Sequence, residues 1–175
     1  MLSEKLDKTI RDIPDFPKPG IIFKDITPIL SDPQLCEELC AAFVGYWKDK
    51  GIEGIAGVES RGFLFGPHLA MMLGVPFIPV RKAGKLPHKT ISHSYDLEYG
   101  SAEIEMHIDA VSPGQKIMIH DDLLATGGSA GAASELIKKA GGEVLGFSFI
   151  IELGFLSGSE ALKPYSSDIQ SLVTY

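Results

Sequence analysis

The 175-residue chain has little of what stabilises secreted domains or holds structural metal ions. It contains only two cysteines, Cys36 and Cys40, so a disulfide framework is excluded. Its five histidines are scattered and lack the spacing that a metal site with these cysteines would need. The two cysteines lie four residues apart in a predicted helix, and we interpret them as core residues. Their scarcity predicts a reducing, cytoplasmic environment.

Long apolar runs and an excess of positive charge are also missing. No stretch approaches the ~20 apolar residues of a membrane span. Residues 1–13 alternate charged residues with Leu2, Leu6 and Ile10, which predicts an amphipathic helix rather than a signal peptide or a membrane anchor. The formal net charge of −7 argues against broad nucleic-acid binding, which requires a basic surface. Neither a membrane nor a nucleic acid is therefore predicted as a partner.

Apolar runs that predict strands alternate with segments that predict helices. The strands are placed at 55–58, 77–80, 117–119 and 143–153, and the helices at 33–50, 63–73 and 130–140. This order is typical of an α/β fold with a mostly parallel, twisted sheet flanked by helices. Residues 92–98 and 102–108 flank Tyr99-Gly100 and predict a β-hairpin that reaches over the active site. Without repeats or linkers, residues 1–175 are predicted to form a single domain.

The most informative segment spans residues 116–142. A buried strand is followed by two adjacent carboxylates, Asp121 and Asp122, which are predicted to end it. Residues 126–129 then form a loop of small residues before a helix, and Ser129 is predicted to cap that helix. Such a loop gathers unpaired N–H groups at the positive end of a helix dipole, which predicts a phosphate site. Adjacent carboxylates repel each other unless hydroxyls, a metal or cations satisfy them, so a ligand is expected there.

The spacing of this loop excludes several other phosphate motifs and a hydrolase. Residues 125–131 lack the G-x-G-x-x-G order of dinucleotide folds, and Gly84-Lys85 is followed by Leu86 where a P-loop needs Ser or Thr. The segment 57–62, GVESRG, has one residue too many for the nucleophile elbow G-x-S-x-G, so Ser60 is not interpreted as a nucleophile. A basic cluster after the strand 77–80 favours contact with an anionic ligand. It consists of Arg81, Lys82, Lys85, His88 and Lys89.

The order of strand, Asp-Asp, small residues and Thr-Gly-Gly-Ser resembles the signature of the type I phosphoribosyltransferases, which bind 5-phosphoribosyl 1-pyrophosphate (PRPP). Four further segments are similar to adenine-specific members of this family. They are PDFPKPGIIFKDITPIL at 14–30, GVESRGFLFG at 57–66, VRKAGKLP at 80–87 and YDLEYG at 95–100. The resemblance implies the type I phosphoribosyltransferase fold with a flexible hairpin lid. It also implies an N-terminal hood, residues 1–33, that forms part of the base pocket.

The resemblance implies an activity and its partners. The 5-phosphoribosyl group of PRPP would pass to N9 of adenine, giving AMP and pyrophosphate in purine salvage, with Mg²⁺ as cofactor and a homodimer as the expected assembly. Asp121 and Asp122 would bind ribose and, through PRPP and water, magnesium. The 5'-phosphate would bind the loop formed by Ala125, Thr126, Gly127, Gly128 and Ser129.

The remaining roles also follow from the resemblance. The pyrophosphate would bind Glu59, Ser60, Arg61, Arg81 and Lys85, with Arg81 offered across a dimer interface and the Glu59-Ser60 peptide expected to be cis. Adenine would lie between the segment Ile22, Phe23, Lys24 and the side chain of Leu153. Glu98, in the hairpin, would be the general base, and Arg61 and Arg81 would assist catalysis.

Two alternatives to this function stay open, and three residues depart from the family pattern. The chain could act on another base, or it could be a regulator that binds PRPP without catalysis. Lys24 stands where some relatives have arginine, Glu59 stands where others have aspartate, and the third is His120. His120 occupies a position where the family usually has a small aliphatic residue. We interpret it as a neutral core histidine held by one hydrogen bond rather than as a catalytic group.

Overall fold

The computed structural model describes residues 1–96 and 100–175. The helices are α1 (Leu2–Thr9), α2 (Pro33–Trp47), α3 (Gly62–Leu73), α4 (Gly128–Lys139) and α5 (Gly158–Leu162), with short 3-10 helices at Thr27–Ser31 and Gly154–Leu156. The strands are β1 (Arg11–Pro14), β2 (Ile22–Asp25), β3 (Gly54–Val58), β4 (Phe77–Lys82), β5 (Thr90–Asp96), β6 (Ser101–His107), β7 (Lys116–Leu124), β8 (Glu143–Glu152) and β9 (Ile169–Thr174). Among the described residues, no helix combines the length and apolar character that crossing a bilayer requires.

The chain divides into two compact units, Met1–Ala42 and Phe43–Tyr175. In the first unit, β1 and β2 form an antiparallel pair in which Arg11 lies opposite Asp25. The sequence predicts a helix over residues 1–13, but α1 ends at Thr9 and the next residues are extended. Pro14 disfavours helical backbone at Ile13, the residue before it, and so is consistent with an extended segment here. Strand pairing with β2 then satisfies the backbone of this segment.

A seven-stranded sheet in the order β5-β6-β4-β3-β7-β8-β9 forms the centre of the second unit. Five neighbouring strands of this sheet, β4, β3, β7, β8 and β9, are parallel to one another, which confirms the predicted fold class. The predicted hairpin is present as β5 and β6, and β6 pairs with β4, so the hairpin extends the sheet. The sequence pattern does not predict the last strand, β9.

A core cluster fills the space between the sheet and helix α4. Ile117 and Ile119 of β7 and Phe147 of β8 are fully buried, and Leu136 of α4 packs into the same cluster. Because these strands are buried on both faces, their sequences are continuous apolar runs. This core fixes the carboxyl ends of β3 and β7 beside the first turn of α4.

The two cysteines are unpaired, as predicted. Cys40 is buried, and burial raises the pKa of its thiol to about 11. Cys36 is partly buried, and its Sγ donates a hydrogen bond to the carbonyl of Ile29 at 3.2 Å. Both thiols therefore have structural surroundings rather than reactive ones.

Candidate active site

A cavity of about 500 Å³ opens where the carboxyl ends of β3 and β7 meet the start of α4. Its lining brings together three groups that the sequence predicts to act jointly. These are the loop after β3 (Glu59, Ser60, Arg61), the paired acids (Asp121, Asp122) and the phosphate loop (Ala125, Thr126, Gly127, Gly128, Ser129). Ligand sites of open α/β sheets lie at this edge, so the location follows from the topology.

The phosphate loop depends on the backbone conformation of Gly127. Its φ of +86° lies in the left-handed region, and a side chain there would approach the carbonyl of Gly158 to 3.0 Å. The chain enters α4 at this residue, without a side-chain cap. The prediction that Ser129 caps the helix is therefore wrong, because Ser129 lies within the first turn. Its hydroxyl instead lies 3.2 Å from the Tyr95 hydroxyl.

The paired acids lie inside β7 rather than after it, which corrects the predicted strand end. β3 pairs with β7 as far as His120, whereas β8 continues along it to Leu124. The departure of β3 leaves one side of the strand open at Asp121 and Asp122. A carboxylate can thus stand within a central strand and still face the cavity.

The electrostatics of the acids are set by burial and by each other. Asp122 is buried, and its Oδ2 lies 2.8 Å from Nε of Arg61. Oδ1 of Asp121 accepts a hydrogen bond from the Asp122 amide at 2.8 Å. Burial raises the pKa of both carboxyls, and the neighbouring charge of Asp122 raises that of Asp121 further, while Arg61 opposes the shift at Asp122. A polyhydroxyl or cationic ligand would stabilise the ionised carboxylates, which burial otherwise disfavours.

The loop between β3 and α3 has the predicted cis peptide between Glu59 and Ser60. The Glu59 carboxylate accepts hydrogen bonds from Arg81 Nη2 at 2.9 Å and Nε at 3.2 Å, and from the Lys82 amide at 3.0 Å. The bond from Arg81 is the main reason that the pKa of Glu59 is lowered. Glu59 thus holds Arg81 in a fixed position.

Several predicted site residues are not among those lining this cavity. Arg81 donates to the Lys85 carbonyl at 3.2 Å, and neither residue is part of the lining. Leu153 follows β8, where its amide donates to the carbonyl of Leu124 at 2.9 Å. Glu98 lies outside the described residues. The roles of these four residues stay predictions.

The predicted adenine segment belongs to the first unit, where Ile22, Phe23 and Lys24 lie in β2. The Phe23 ring meets the edge of Phe16 with a centroid distance of 5.2 Å. The Lys24 ammonium lies 2.6 Å from a carboxylate oxygen of Asp12. Their contact with adenine stays a prediction.

His120 has the surroundings expected of a core residue. Its ring is fully buried, Nδ1 lies 2.9 Å from Oγ of Ser148, and the ring meets the edge of Phe43. Burial lowers its pKa to about 4, so the ring is neutral at physiological pH. These contacts agree with the interpretation of a neutral histidine held by one hydrogen bond.

Sequence reasoning missed some of the residues that line the cavity and one residue that organises the loop carrying Lys85. Tyr95, Asp96 and Phe149 line the cavity. The first two belong to the segment YDLEYG, in which the resemblance implies a role only for Glu98. Glu105 of β6 is buried, and its carboxylate accepts hydrogen bonds from the amides of Lys85 at 2.9 Å and Leu86 at 2.8 Å. Glu105 thereby fixes the loop that carries Lys85.

We expect Glu105→Ala to lower the free energy of unfolding by about 2 kcal/mol at neutral pH, because two loop amides lose a charged acceptor. Burial alone would raise the pKa of Glu105, but the backbone donors outweigh it and the pKa is lowered. A lowered pKa means that this stability is present above the unfolded pKa of about 4.3 and is lost as the pH falls through the folded value. The difference between wild type and variant should therefore shrink in acid.

Urea unfolding at several pH values measures this effect. Glu103→Ala is a matched control, since Glu103 lies on the same strand but is exposed, and its carboxylate accepts a hydrogen bond from Ser92 Oγ. We expect the control to change stability by less than about 0.5 kcal/mol. Equal losses in the two variants would contradict the role of Glu105.

Comparison with known proteins places this site in a family. Residues 29–170 match the phosphoribosyl transferase domain. An adenine phosphoribosyltransferase from Cytophaga hutchinsonii is 54% identical over 175 residues, which cover 100% of this chain and 97% of the relative. The crystal structure of adenine phosphoribosyltransferase from Thermoanaerobacter pseudethanolicus superposes with a TM-score of 0.95 at 47% identity, covering 100% of both chains.

A further structure combines likeness of fold with bound ligands. Adenine phosphoribosyltransferase from Saccharomyces cerevisiae, complexed with D-2,5-dideoxy-2,5-imino-altritol 1,6-bisphosphate and adenine, superposes with a TM-score of 0.90. It is 40% identical, and the match covers 98% of both chains. Together with the phosphate loop and the paired acids, these matches define the class of protein as a phosphoribosyltransferase. Within that class, the chain belongs to the adenine phosphoribosyltransferase family.

Proposed function

We propose that this chain transfers the 5-phosphoribosyl group of PRPP to N9 of adenine, forming AMP and pyrophosphate in purine salvage. The observation that carries the proposal is the cavity in which the phosphate loop, the two acids and Arg61 converge. The start of α4 would bind the 5'-phosphate of PRPP, and the two acids would bind its ribose. A single PRPP molecule would thus contact both parts of the cavity. The yeast relative, with adenine and a bisphosphate bound, supports the pairing of substrates.

The reaction breaks the bond from ribose C1 to pyrophosphate and forms the bond from C1 to adenine N9. Positive charge develops on the ribose, and negative charge develops on the leaving pyrophosphate. Asp121 and Asp122 lie in the cavity where they would stabilise the positive sugar, and Arg61 would stabilise the pyrophosphate. Two fixed carboxylates and a nearby guanidinium therefore suit both ends of the breaking bond.

The donor set at the acids suits magnesium. Mg²⁺ prefers oxygen ligands and is usually held by one or two carboxylates together with waters and substrate phosphates. Asp121 and Asp122 supply two carboxylates, and the described residues contain no cluster of three or more candidate ligands that would form a closed metal site. A magnesium ion bound through PRPP and water would neutralise charge on the leaving pyrophosphate.

Adenine selection would depend on hydrogen-bond polarity. Adenine offers a donor at its 6-amino group and an acceptor at N1, whereas 6-oxopurines invert both. Main-chain groups of Ile22, Phe23 and Lys24 can match only one of these patterns, and the mismatch would leave buried groups unpaired. Leu153 would cover the other face of the base, and Glu98 would accept the proton that adenine loses.

A homodimer would give Arg81 a role in catalysis. Arg81 is held by Glu59 and the Lys85 carbonyl, and it is not among the residues that line the cavity. By the family resemblance, Arg81 would be offered to a site on a second copy of the chain, where it would contact pyrophosphate. The predicted place of this enzyme is the cytoplasm, a proposal that depends on its two unpaired cysteines.

Incubation with PRPP, Mg²⁺ and adenine tests the proposed enzyme against a PRPP-binding regulator. We expect AMP and pyrophosphate in equal amounts, and we expect a chelator of divalent cations to stop the reaction. Chromatography of the nucleotide and an enzymatic assay of pyrophosphate measure the two products. Tight PRPP binding without any product would contradict the proposal and support the regulator.

A further inference from the structure

The hairpin strand β5 lies along helix α4. Ile91 and Tyr95 of β5 pack against the core cluster, whereas Ser92 and Ser94 between them are exposed. The Lys139 ammonium, at the last residue of α4, donates to the Ser92 carbonyl at 2.8 Å. These contacts fix β5 against the helix whose first turn forms the phosphate loop.

Tyr95 reaches that first turn with both its ring and its hydroxyl. Ring carbon Cδ2 lies 3.5 Å from the position that a Cβ on Gly128 would take. The hydroxyl lies 3.2 Å from Oγ of Ser129, and Tyr95 lines the same cavity as the phosphate loop. The phenol therefore contacts a residue that is proposed to bind the 5'-phosphate.

The direction of this hydrogen bond decides what Ser129 can offer a phosphate. A serine hydroxyl has one proton and two lone pairs. If Tyr95 donates, Ser129 keeps its proton for the phosphate, and the two bonds polarise each other. If Ser129 donated to Tyr95 instead, its lone pairs would face the anion and repel it. A bound phosphate therefore favours donation from Tyr95.

We infer that Tyr95 is a positioning residue for the phosphate end of PRPP and acts through Ser129. Its O–H orients the Ser129 hydroxyl toward the 5'-phosphate. The inference rests on the proposed function and extends it to the hairpin, which thereby contributes to sugar-phosphate binding as well as to the predicted base chemistry.

A double-mutant cycle with Tyr95→Phe and Ser129→Ala tests this inference. Calorimetry gives the Kd of ribose 5-phosphate and of pyrophosphate, and initial rates give KM and kcat. Tyr95→Phe removes the hydrogen bond between the Tyr95 and Ser129 hydroxyls. We expect this loss to weaken ribose 5-phosphate binding and to raise the KM of PRPP, each by about 5–10-fold. Pyrophosphate binding and the KM of adenine should stay within about twofold of wild type, because neither ligand carries the 5'-phosphate.

The coupling is the decisive readout. In the Ser129→Ala background, Tyr95→Phe is expected to add no further loss, since Tyr95 then has no hydroxyl to orient. Ser94→Ala, an exposed neighbour on the same strand, should bind both ligands like wild type.

Two results would overturn the inference. One is wild-type binding of ribose 5-phosphate by Tyr95→Phe, and the other is an equal loss in both backgrounds, which would indicate packing or direct contact. If the cycle shows this coupling but the wild-type protein forms no AMP, the proposed function alone is rejected and the role of Tyr95 is supported.

Discussion

Replacing Asp121 with asparagine is expected to remove most of the activity while making the protein more stable. The Asp121 carboxylate is proposed to stabilise the developing positive charge on ribose, and loss of one such preorganised group costs about 10²–10³-fold in kcat. Asparagine keeps the oxygen that accepts the Asp122 amide, so the backbone contact survives. Activity and stability should therefore change in opposite directions.

The gain in stability follows from the raised pKa of Asp121. Burial and the Asp122 charge disfavour its ionised form in the folded state. A raised folded pKa means that the group stabilises the fold below its unfolded pKa and that this contribution is lost as the pH rises through the folded value. Burying a carboxyl whose ionised form is disfavoured thus carries a cost that asparagine lacks, and we expect the substitution to raise the free energy of unfolding at neutral pH by about 1 kcal/mol. The advantage should disappear in acid, where both proteins are neutral at this position.

Thermal unfolding across a pH series, together with initial rates, measures both halves of this prediction. An increase of about 2–4 °C in Tm corresponds to this gain for a chain of this size. Asp109→Asn, at an exposed position outside the cavity lining, is the matched control and should leave rate and Tm unchanged. A stability gain of the same size at acidic pH would contradict the electrostatic explanation.

Glu98→Gln is expected to lower kcat by about 10²–10⁴-fold with little change in PRPP affinity, because a general base acts on adenine and not on the sugar donor. Glu98 lies outside the described residues, so this prediction depends on the resemblance of the segment YDLEYG. Initial rates with adenine and calorimetry with PRPP separate the two effects.

The matched control for Glu98 is Glu103→Gln on the neighbouring strand of the hairpin. Glu103 accepts a hydrogen bond from Ser92 Oγ at 2.6 Å and does not line the cavity. Its variant should turn over adenine like wild type. Unchanged turnover in Glu98→Gln would remove Glu98 from the mechanism, and an equal loss of PRPP binding would assign it to the donor site instead.

Local patterns predicted the centre of the site well. The acids and the phosphate loop lie within nine residues of one another, and the strand, turn and helix that position them follow from apolar periodicity and small residues. The cavity does bring Asp121, Asp122 and residues 125–129 together. Arg61 joins them because β3 and β7 are parallel neighbours whose carboxyl ends share one edge of the sheet.

Contacts between distant segments could not be predicted in this way. The carboxylate of Glu105 meets amides twenty and nineteen residues earlier in the chain, and Tyr95 meets Ser129 across 34 residues. The alternation of charged and apolar residues along a strand indicates on which face of the sheet a side chain lies, but it does not indicate which residue that side chain contacts. The strand end at Asp121 was misplaced for the same reason, since it depends on where β3 leaves the sheet.

The measurement that tests the proposed function most directly is a comparison of initial rates with PRPP, Mg²⁺ and each of five bases, namely adenine, hypoxanthine, guanine, uracil and orotate. We predict rapid formation of AMP from adenine. For the other four bases we predict a kcat/KM at least about 10²-fold lower, because each presents a mismatched hydrogen-bond pattern. Comparable turnover of hypoxanthine, or turnover of any other base in preference to adenine, would contradict this function.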